Sequence, residues 1–325
     1  MKKHQEFDNI VKTSKNILII SHVNPDGDTL GTMCALRSAI YNQYKKKPEM
    51  LVLSKIPKIY EFLPFIKEAK TLDKFDKSRE YDLVITVDVA SLDRIIDAQI
   101  LFEKAKFTIN IDHHRTNNNY GDLTFVEPNA SSSGEVLYKI LKKLEWQIQD
   151  KNLDTLTCIY VAILTDTGGF RFENTSSKVF KVAAELTDMG ISPRELYKKC
   201  YESKSKSVVL FQNYCVGSAS FLKNDKIAYS IIYKKDMEKF GVGDDSTDGI
   251  AEALRAITST EVSFVLRETD SKACKVSMRS KTVDIAQICS KFGGGGHKFA
   301  AGCTIKSNCE DAIKKLLAEI NKEVK

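Results

Sequence analysis

Through its first 165 residues the chain alternates short apolar runs with longer stretches of helical spacing. Residues 16–22 read NILIISH, an apolar run of strand length. Behind the loop 23–28, the spacing predicts an amphipathic helix over 29–47. A second strand is predicted over 49–53 and a helix over 58–69. The β-branched run YDLVITVDV at 81–89 predicts a third strand, followed by a helix over 92–105. Another strand over 107–111 leads into a polar loop around 117–119, and helical spacing returns over 134–144 and 153–164. Alternation at this period predicts an α/β fold, a parallel sheet with helices on both faces. In such sheets ligands sit beyond the carboxyl ends of the strands.

Ser192, Pro193 and Glu195 make a capping-box pattern with proline at the first helical position, which predicts a helix at the start of a connector. From Lys226 the pattern changes to strands over 226–233, 262–268 and 273–279, a helix over 283–292, four glycines, and a terminal helix over 311–324. Three strands ahead of the next helix predict a smaller α/β unit with a mixed sheet. The expected organisation is a first domain over 1–190, a helical connector over 191–225 and a second domain over 226–325, with a cleft between the domains.

Composition narrows the class. With 42% hydrophobic and 28% charged residues in 325, the chain can bury two cores and is neither disordered nor fibrous. No apolar run approaches the ~18–20 residues that span a bilayer, and the N-terminal run is too short and too late for a signal peptide. A soluble cytoplasmic protein with no membrane partner is expected. Eight scattered cysteines without a CxxC pair predict buried thiols rather than a zinc ribbon or a disulfide framework. The net charge of +6 belongs wholly to the second part: residues 1–190 hold 26 basic and 26 acidic side chains, residues 191–325 hold 23 and 17. Such an excess suits a phosphate-bearing partner, although a lysine-rich solvated surface gives the same number.

The candidate chemistry lies at the ends of the predicted strands and helices. His22 closes the first strand, with Asp26 and Asp28 in the loop after it. Asp88 ends the run VITVDV, Asp112, His113 and His114 follow FTINI, and Asp166 ends IYVAILTD. An aspartate after a strand is ordinarily a turn or capping residue, and Asp28 suits a cap for the helix behind it. The coincidence of four such ends is what matters. Five carboxylates converging on one rim repel one another by several kcal/mol each in a partly dry site, so they must protonate, separate or hold cations. Two divalent ions nearly balance that charge, and a pair of metals is the clamp used for in-line attack at phosphorus. Imidazole and carboxylate ligands without thiolate point to Mn²⁺ or a similar ion.

The set HVNPDGD (22–28), Asp88 in VDV, DHH (112–114) and TDTG with Asp166 resembles motifs I to IV of the DHH phosphoesterases. FGGGGHKFAAG (292–302) resembles the tail motif of the DHH-associated C-terminal domain. Length, motif order and spacing are most similar to the NrnA-type oligoribonucleases (nanoRNases), which in many bacteria also act as 3′-phosphoadenosine 5′-phosphate phosphatases. The resemblance implies a catalytic domain over 1–190 and a substrate-binding domain over 226–325. It implies one metal on His22, Asp26 and Asp88, and a second on Asp28, Asp88, His113 and Asp166, with Asp88 shared and a metal-activated water as nucleophile. His114 then faces the scissile phosphate, and Asp112 is expected to orient an imidazole. The far end of the substrate is expected on Gly294, Gly295, Gly296, His297 and Arg279, with Ser132 and Arg115 as weaker phosphate contacts. After TDTG this chain reads Gly169, Phe170, Arg171, Phe172, where the family often has a basic residue sooner; Arg171 is the candidate replacement. The expected activity is hydrolysis of very short RNA or DNA oligonucleotides to 5′-mononucleotides, and of 3′-phosphoadenosine 5′-phosphate to AMP. A cyclic or linear dinucleotide phosphodiesterase and a non-catalytic nucleotide sensor are the rival readings, and a second copy of the chain is a candidate partner.

Overall fold

β1 (Ile17–Ile20) is buried along its whole length because its side chains serve two cores. Ile17 and Ile19 enter one cluster, Leu18 and Ile20 the other. β2 (Glu49–Val52) does the same, sending Met50 and Val52 one way and Leu51 the other. This is the continuous apolar run of a parallel strand covered on both faces.

The computed structural model describes residues 2–149, 151–269 and 272–324, and the chain divides into two units, Met1–Ser203 and Lys204–Lys325. In the first, β3 (Lys70–Thr71), β4 (Leu83–Val87), β5 (Phe107–Asp112) and β6 (Leu123–Val126) join β1 and β2 in a parallel sheet ordered β3-β2-β1-β4-β5-β6. The helices α1 (Lys2–Thr13) and α2 (Gly27–Tyr44) cover one face. A 3₁₀ turn over Leu92–Ala98 and α3 (Gln99–Glu103) cover the other. α4 (Ser133–Lys143), α5 (Asp154–Asp166), α6 (Ser177–Asp188) and α7 (Pro193–Tyr201) pack with α1 and α2. The direction of winding reverses between β1 and β4, and there the loops leaving two neighbouring strands part to open a crevice.

Three expectations change in physical detail. The segment 58–69 is not a helix but two 3₁₀ turns, Lys58–Tyr60 and Ile66–Glu68, because Pro64 interrupts it and Phe65 takes a left-handed φ of 64°. The segment 92–105 breaks at Ile95, whose φ of −122° is not helical. α2 is not amphipathic: it is buried on every side from 27 to 40, between the sheet and two other helices. Its polar members are partnered, with Arg37 on Glu68 (2.6 Å) and Ser38 accepting from Thr155 (2.8 Å).

The close passage of α2 and α4 over α5 depends on glycine. A Cβ on Gly31 would lie 2.7 Å from the Cys158 carbonyl oxygen, and one on Gly134 would lie 2.4 Å from the Ala162 Cβ. Both approaches bring the second turn of α2 and the N-terminus of α4 against the middle of α5. Gly31→Leu is therefore expected to destabilise the first unit by about 1–3 kcal/mol or more through overpacking. A urea-unfolding midpoint equal to that of the parent would refute this account of the packing.

The second unit begins with α8 (Lys206–Gly217) and carries β7 (Ser220–Leu222), β8 (Ile227–Ile232), β9 (Val262–Glu268), β10 (Cys274–Ser280), β11 (Gly295–His297) and β12 (Ala300–Ile305). The sheet order is β11-β12-β10-β9-β8-β7, with β8 and β9 parallel and the other pairs antiparallel. The parallel pair exists because α9 (Lys234–Phe240) and α10 (Ile250–Arg255) intervene between β8 and β9, where the sequence pattern predicts an uninterrupted run of three strands. α11 (Ile285–Ser290) and α12 (Cys309–Glu323) pack on one face of the sheet, α8 and α10 on the other. Among the described residues no helix is long and apolar enough to cross a membrane, and all eight cysteines are buried free thiols.

Candidate metal centre

The loops at the reversal point carry the acids and histidines. His22 stands two residues beyond β1, Asp88 one beyond β4, and Asp112 closes β5 with His113 and His114 after it. Asp26, not Asp28, caps α2: its carboxylate accepts from the Thr29 amide at 3.0 Å. Asp28 sits in the first turn of α2, and Asp166 is the last residue of α5. Asp88 adopts a left-handed φ of 59°, which L-residues other than Asn and Asp seldom take. That turn is pinned from behind, since the neighbouring Val89 carbonyl accepts from Asn110 (3.1 Å), Asn117 (3.3 Å) and Tyr120 (2.9 Å).

The side chains fall into groups that meet at Asp88. His22, Asp26 and Asp88 offer ligand atoms within 4.8 Å of one another; so do Asp28, His113 and Asp166, and so do Asp88, Asp112 and His114. The two oxygens of Asp88 face different groups, Oδ2 lying 3.3 Å from His22 Nε2 and Oδ1 3.6 Å from both His113 Nε2 and His114 Nδ1. His113 Nε2 also stands 3.7 Å from Asp28 and 3.5 Å from Asp166. Each imidazole is steered by its other nitrogen or by a carboxylate: His22 Nδ1 toward the Val23 carbonyl (2.7 Å), His113 Nδ1 toward the Ala130 carbonyl (3.3 Å), and His114 Nδ1 toward Asp112 (2.8 Å).

Several supporting groups carry no motif in the sequence. Asp28 is held at the N-terminus of α4 by the amides of Ser133 (2.7 Å) and Gly134 (3.0 Å), where the helix dipole favours an anion. Ser133 Oγ donates to Asp88 at 3.1 Å, Asn117 to Asp112 at 2.6 Å, and Asn174 to the Asp166 carboxylate at 3.3 Å. The Thr29 hydroxyl lies 2.5 Å from His22 Nε2, 2.6 Å from Asp88 and 3.2 Å from Asp26.

Electrostatics register the crowding. Burial, then the charges of Asp88, Asp166 and Asp26, push the Asp28 carboxyl well above its ordinary range despite the Ser133 amide. Burial likewise raises Asp166 to about 7. Burial also opposes the Asp88 anion, but the hydrogen bond from His22 and the charges of His114, His22 and His113 outweigh it and hold that carboxyl below the usual carboxylate range. His114 is driven up to about 9, its desolvation overcome by the bond to Asp112 and the charge of Asp88. A buried anionic pocket that relieves itself by taking up protons, with hard oxygen and imidazole donors gathered around Asp88, fits divalent cations.

Of the other expected residues, Arg115 is exposed, and Ser132 is the N-cap of α4, its hydroxyl accepting from Glu135 (3.0 Å). Arg171 Nε donates to the Gly168 carbonyl (2.7 Å). Arg279, Gly294, Gly295, Gly296 and His297 belong to the second unit. There the glycine run is not a bare loop. Residues 295–297 form the edge strand β11, and the amides of Gly293 and Gly294 donate to the Ser290 and Cys289 carbonyls at 3.0 Å. Gly294 is required by packing, since a Cβ there would lie 2.2 Å from the Gly302 carbonyl oxygen.

Comparison with known proteins agrees with this geometry. Residues 16–163 match the DHH family, N-terminal domain, and residues 224–325 match the DHHA1 domain. The chain is 32% identical to the bifunctional oligoribonuclease and PAP phosphatase NrnA of Bacillus subtilis, covering 94% of this chain and 93% of that one. It is 30% identical to the protein of the same name from Thermus thermophilus, over 95% and 90%. An exopolyphosphatase-related protein from Bacteroides fragilis shares the fold, with a TM-score of 0.90 at 24% identity over 99% of this chain and 96% of that one. With relatives aligned over nearly their whole length and both domains matched, the chain belongs to the DHH family of phosphoesterases and carries a DHHA1 domain.

Proposed function

We propose that this protein hydrolyses very short oligonucleotides to 5′-mononucleotides and 3′-phosphoadenosine 5′-phosphate to AMP in the cytoplasm, with two divalent ions, Mn²⁺ foremost. The observation that carries the reading is the position of Asp88, one oxygen toward His22 and the other toward His113, in a chain whose relatives carry that pair of activities in their names. When bound, a metal pair lowers the pKa of a water and neutralises charge on the phosphoryl oxygens. His22, Asp26 and Asp88 would hold one ion, and Asp28, Asp88, His113 and Asp166 the other. The protein's own share is positional. The amides of α4 fix Asp28, Thr29 and Ser133 fix the two oxygens of Asp88, and Asn174 fixes Asp166, so the carboxylates do not swing apart. Asp112 sets the ring plane of His114, whose Nε2–H is then the proton donor to the phosphate or to the departing oxygen. Arg279, His297 and the glycine segment take the far end of the substrate.

A single assay tests the reading. With Mn²⁺, turnover is measured on a diribonucleotide, an oligomer of about twenty-five nucleotides, 3′-phosphoadenosine 5′-phosphate, pyrophosphate and a cyclic dinucleotide. The diribonucleotide and the bisphosphate are expected to be cleaved fastest, and the long oligomer at least about tenfold more slowly, a gap of ~1.4 kcal/mol in the barrier. Preference for pyrophosphate, for the cyclic dinucleotide or for the long strand would overturn it.

A further inference from the structure

We propose that Glu252 is a positioning residue for substrate binding: its carboxylate holds the Arg279 guanidinium so that the outer Nη1–Nη2 edge presents a two-pronged fork to a substrate phosphate. The inference rests on the reading that Arg279 grips the substrate, and adds the residue that makes that grip directional.

Arg279 lies near the end of β10, a strand flanked on both sides by β9 and β12. Its Nε donates to Glu252 Oε1 at 2.7 Å, and its Nη1 donates to the Met278 carbonyl at 2.7 Å. A guanidinium has five N–H donors in a rigid plane. These two bonds take Nε–H and one hydrogen of Nη1, leaving three hydrogens on the two terminal nitrogens. Paired across the outer Nη1–Nη2 edge, they bind phosphate through two parallel bonds. The side chains of Arg279 and Glu252 are 25% and 30% exposed, so the pair is braced by the protein yet open to a ligand.

Glu252 can act as a brace because its own element is fixed. It sits on α10, whose Ile250, Ala251 and Leu254 are buried in the core beneath the sheet. The loop entering α10 is tied to α8 by Gln212, which donates to the carbonyls of Ser246 (2.9 Å) and Asp248 (2.7 Å). Burial opposes ionisation of Glu252, but the charge of Arg279 outweighs it and keeps the carboxyl anionic. Burial and the charge of Glu252 raise the Asp248 carboxyl above its ordinary range, against the pull of Arg279.

The test is a cycle of Arg279→Ala, Glu252→Ala, Glu252→Gln and the Arg279→Ala/Glu252→Ala double variant, read as KM and kcat for a 5′-phosphorylated dinucleotide with Mn²⁺. Equilibrium binding of a non-hydrolysable dinucleotide to the metal-free protein is read alongside. Arg279→Ala is expected to raise KM about tenfold or more, the scale of a lost charge-assisted hydrogen bond. Glu252→Ala should raise KM about fivefold with kcat within about twofold, and Glu252→Gln, which keeps an acceptor for Nε–H, should recover most of that loss. The double variant should be no worse than Arg279→Ala, because a brace is worthless without the group it braces. An unchanged KM in Arg279→Ala would remove the substrate-grip reading itself. A raised KM there with a normal one in Glu252→Ala, or full additivity in the double variant, would remove only the positioning role. If Glu252→Ala does not fold, Glu252→Asp, whose shorter carboxylate withdraws from Nε, takes its place with the same expected rise in KM and the same refutation.

Discussion

Asp88→Asn is expected to lower kcat/KM on a dinucleotide by about 10³-fold or more while leaving the fold intact, the size of loss seen when a group on which a whole catalytic unit depends is removed. Asparagine is the right substitution because residue 88 has a φ of 59°, which asparagine tolerates and alanine does not. Its amide oxygen can still accept from Thr29 or Ser133, so the turn remains anchored. What disappears is the charge and the second anionic oxygen facing the other group. Calorimetric titration with Mn²⁺ should show weakened uptake by both groups, not one, since His22 and His113 each lose an anionic oxygen of Asp88, 3.3 Å and 3.6 Å away. Loss of a single site would mean that Asp88 is not shared. Retained turnover with unchanged thermal melting would mean that the reaction does not pass through this centre.

The ligand residues were legible because each occupies a boundary that periodicity exposes. His22, Asp88 and Asp112 stand where an apolar run stops, and in a parallel sheet all such stops face the same rim. Their supports were not legible. Thr29, Ser133, Asn117 and Asn174 are ordinary polar residues near helix starts and in loops, and only the fold decides that their side chains turn toward a carboxylate rather than water. The amides holding Asp28 belong to a helix more than a hundred residues away, a relation with no local trace. The same division holds for the fold. Long apolar strands announced themselves, whereas α1 and the strands β6 and β12 did not, because their cores are completed by partners distant in sequence. Phe7 of α1 packs against the Trp146 ring, and Asp8 accepts from the Trp146 indole at 2.7 Å. The glycine run stands out in the sequence and suggests access for phosphate, yet at Gly294 its cause is the passage of the β12 backbone.

Without metal, the centre's contribution to stability is expected to fall as pH rises from about 4 to about 9, and Mn²⁺ should reverse the trend. Asp166 ionises ordinarily near 3.8 but in the fold only at about 7. Across that window the unfolded chain has released a proton that the native chain still holds, so raising the pH favours unfolding. Asp28 acts in the same direction. His114, raised from 6.5 to about 9, retains its proton after the unfolded chain has lost it, and stabilisation present below 6.5 is lost as pH climbs through the folded value. Asp88 and Asp112, both held below the ordinary range, contribute stability that is present above about 4 and lost only on further acidification, so they do not offset the decline. Each tenfold change in proton affinity corresponds to ~1.4 kcal/mol, which makes Asp166 and His114 each worth on the order of a few kcal/mol. Divalent ions must displace these protons to bind, so the gain in melting temperature on adding Mn²⁺ should be markedly larger at pH 8 than at pH 5.5. Titrations at pH 7 in buffers of differing ionisation enthalpy should record net release of about one proton or more per protein. An equal Mn²⁺ shift at both pH values, with no proton release, would show that the crowded carboxylates are not what the metal neutralises.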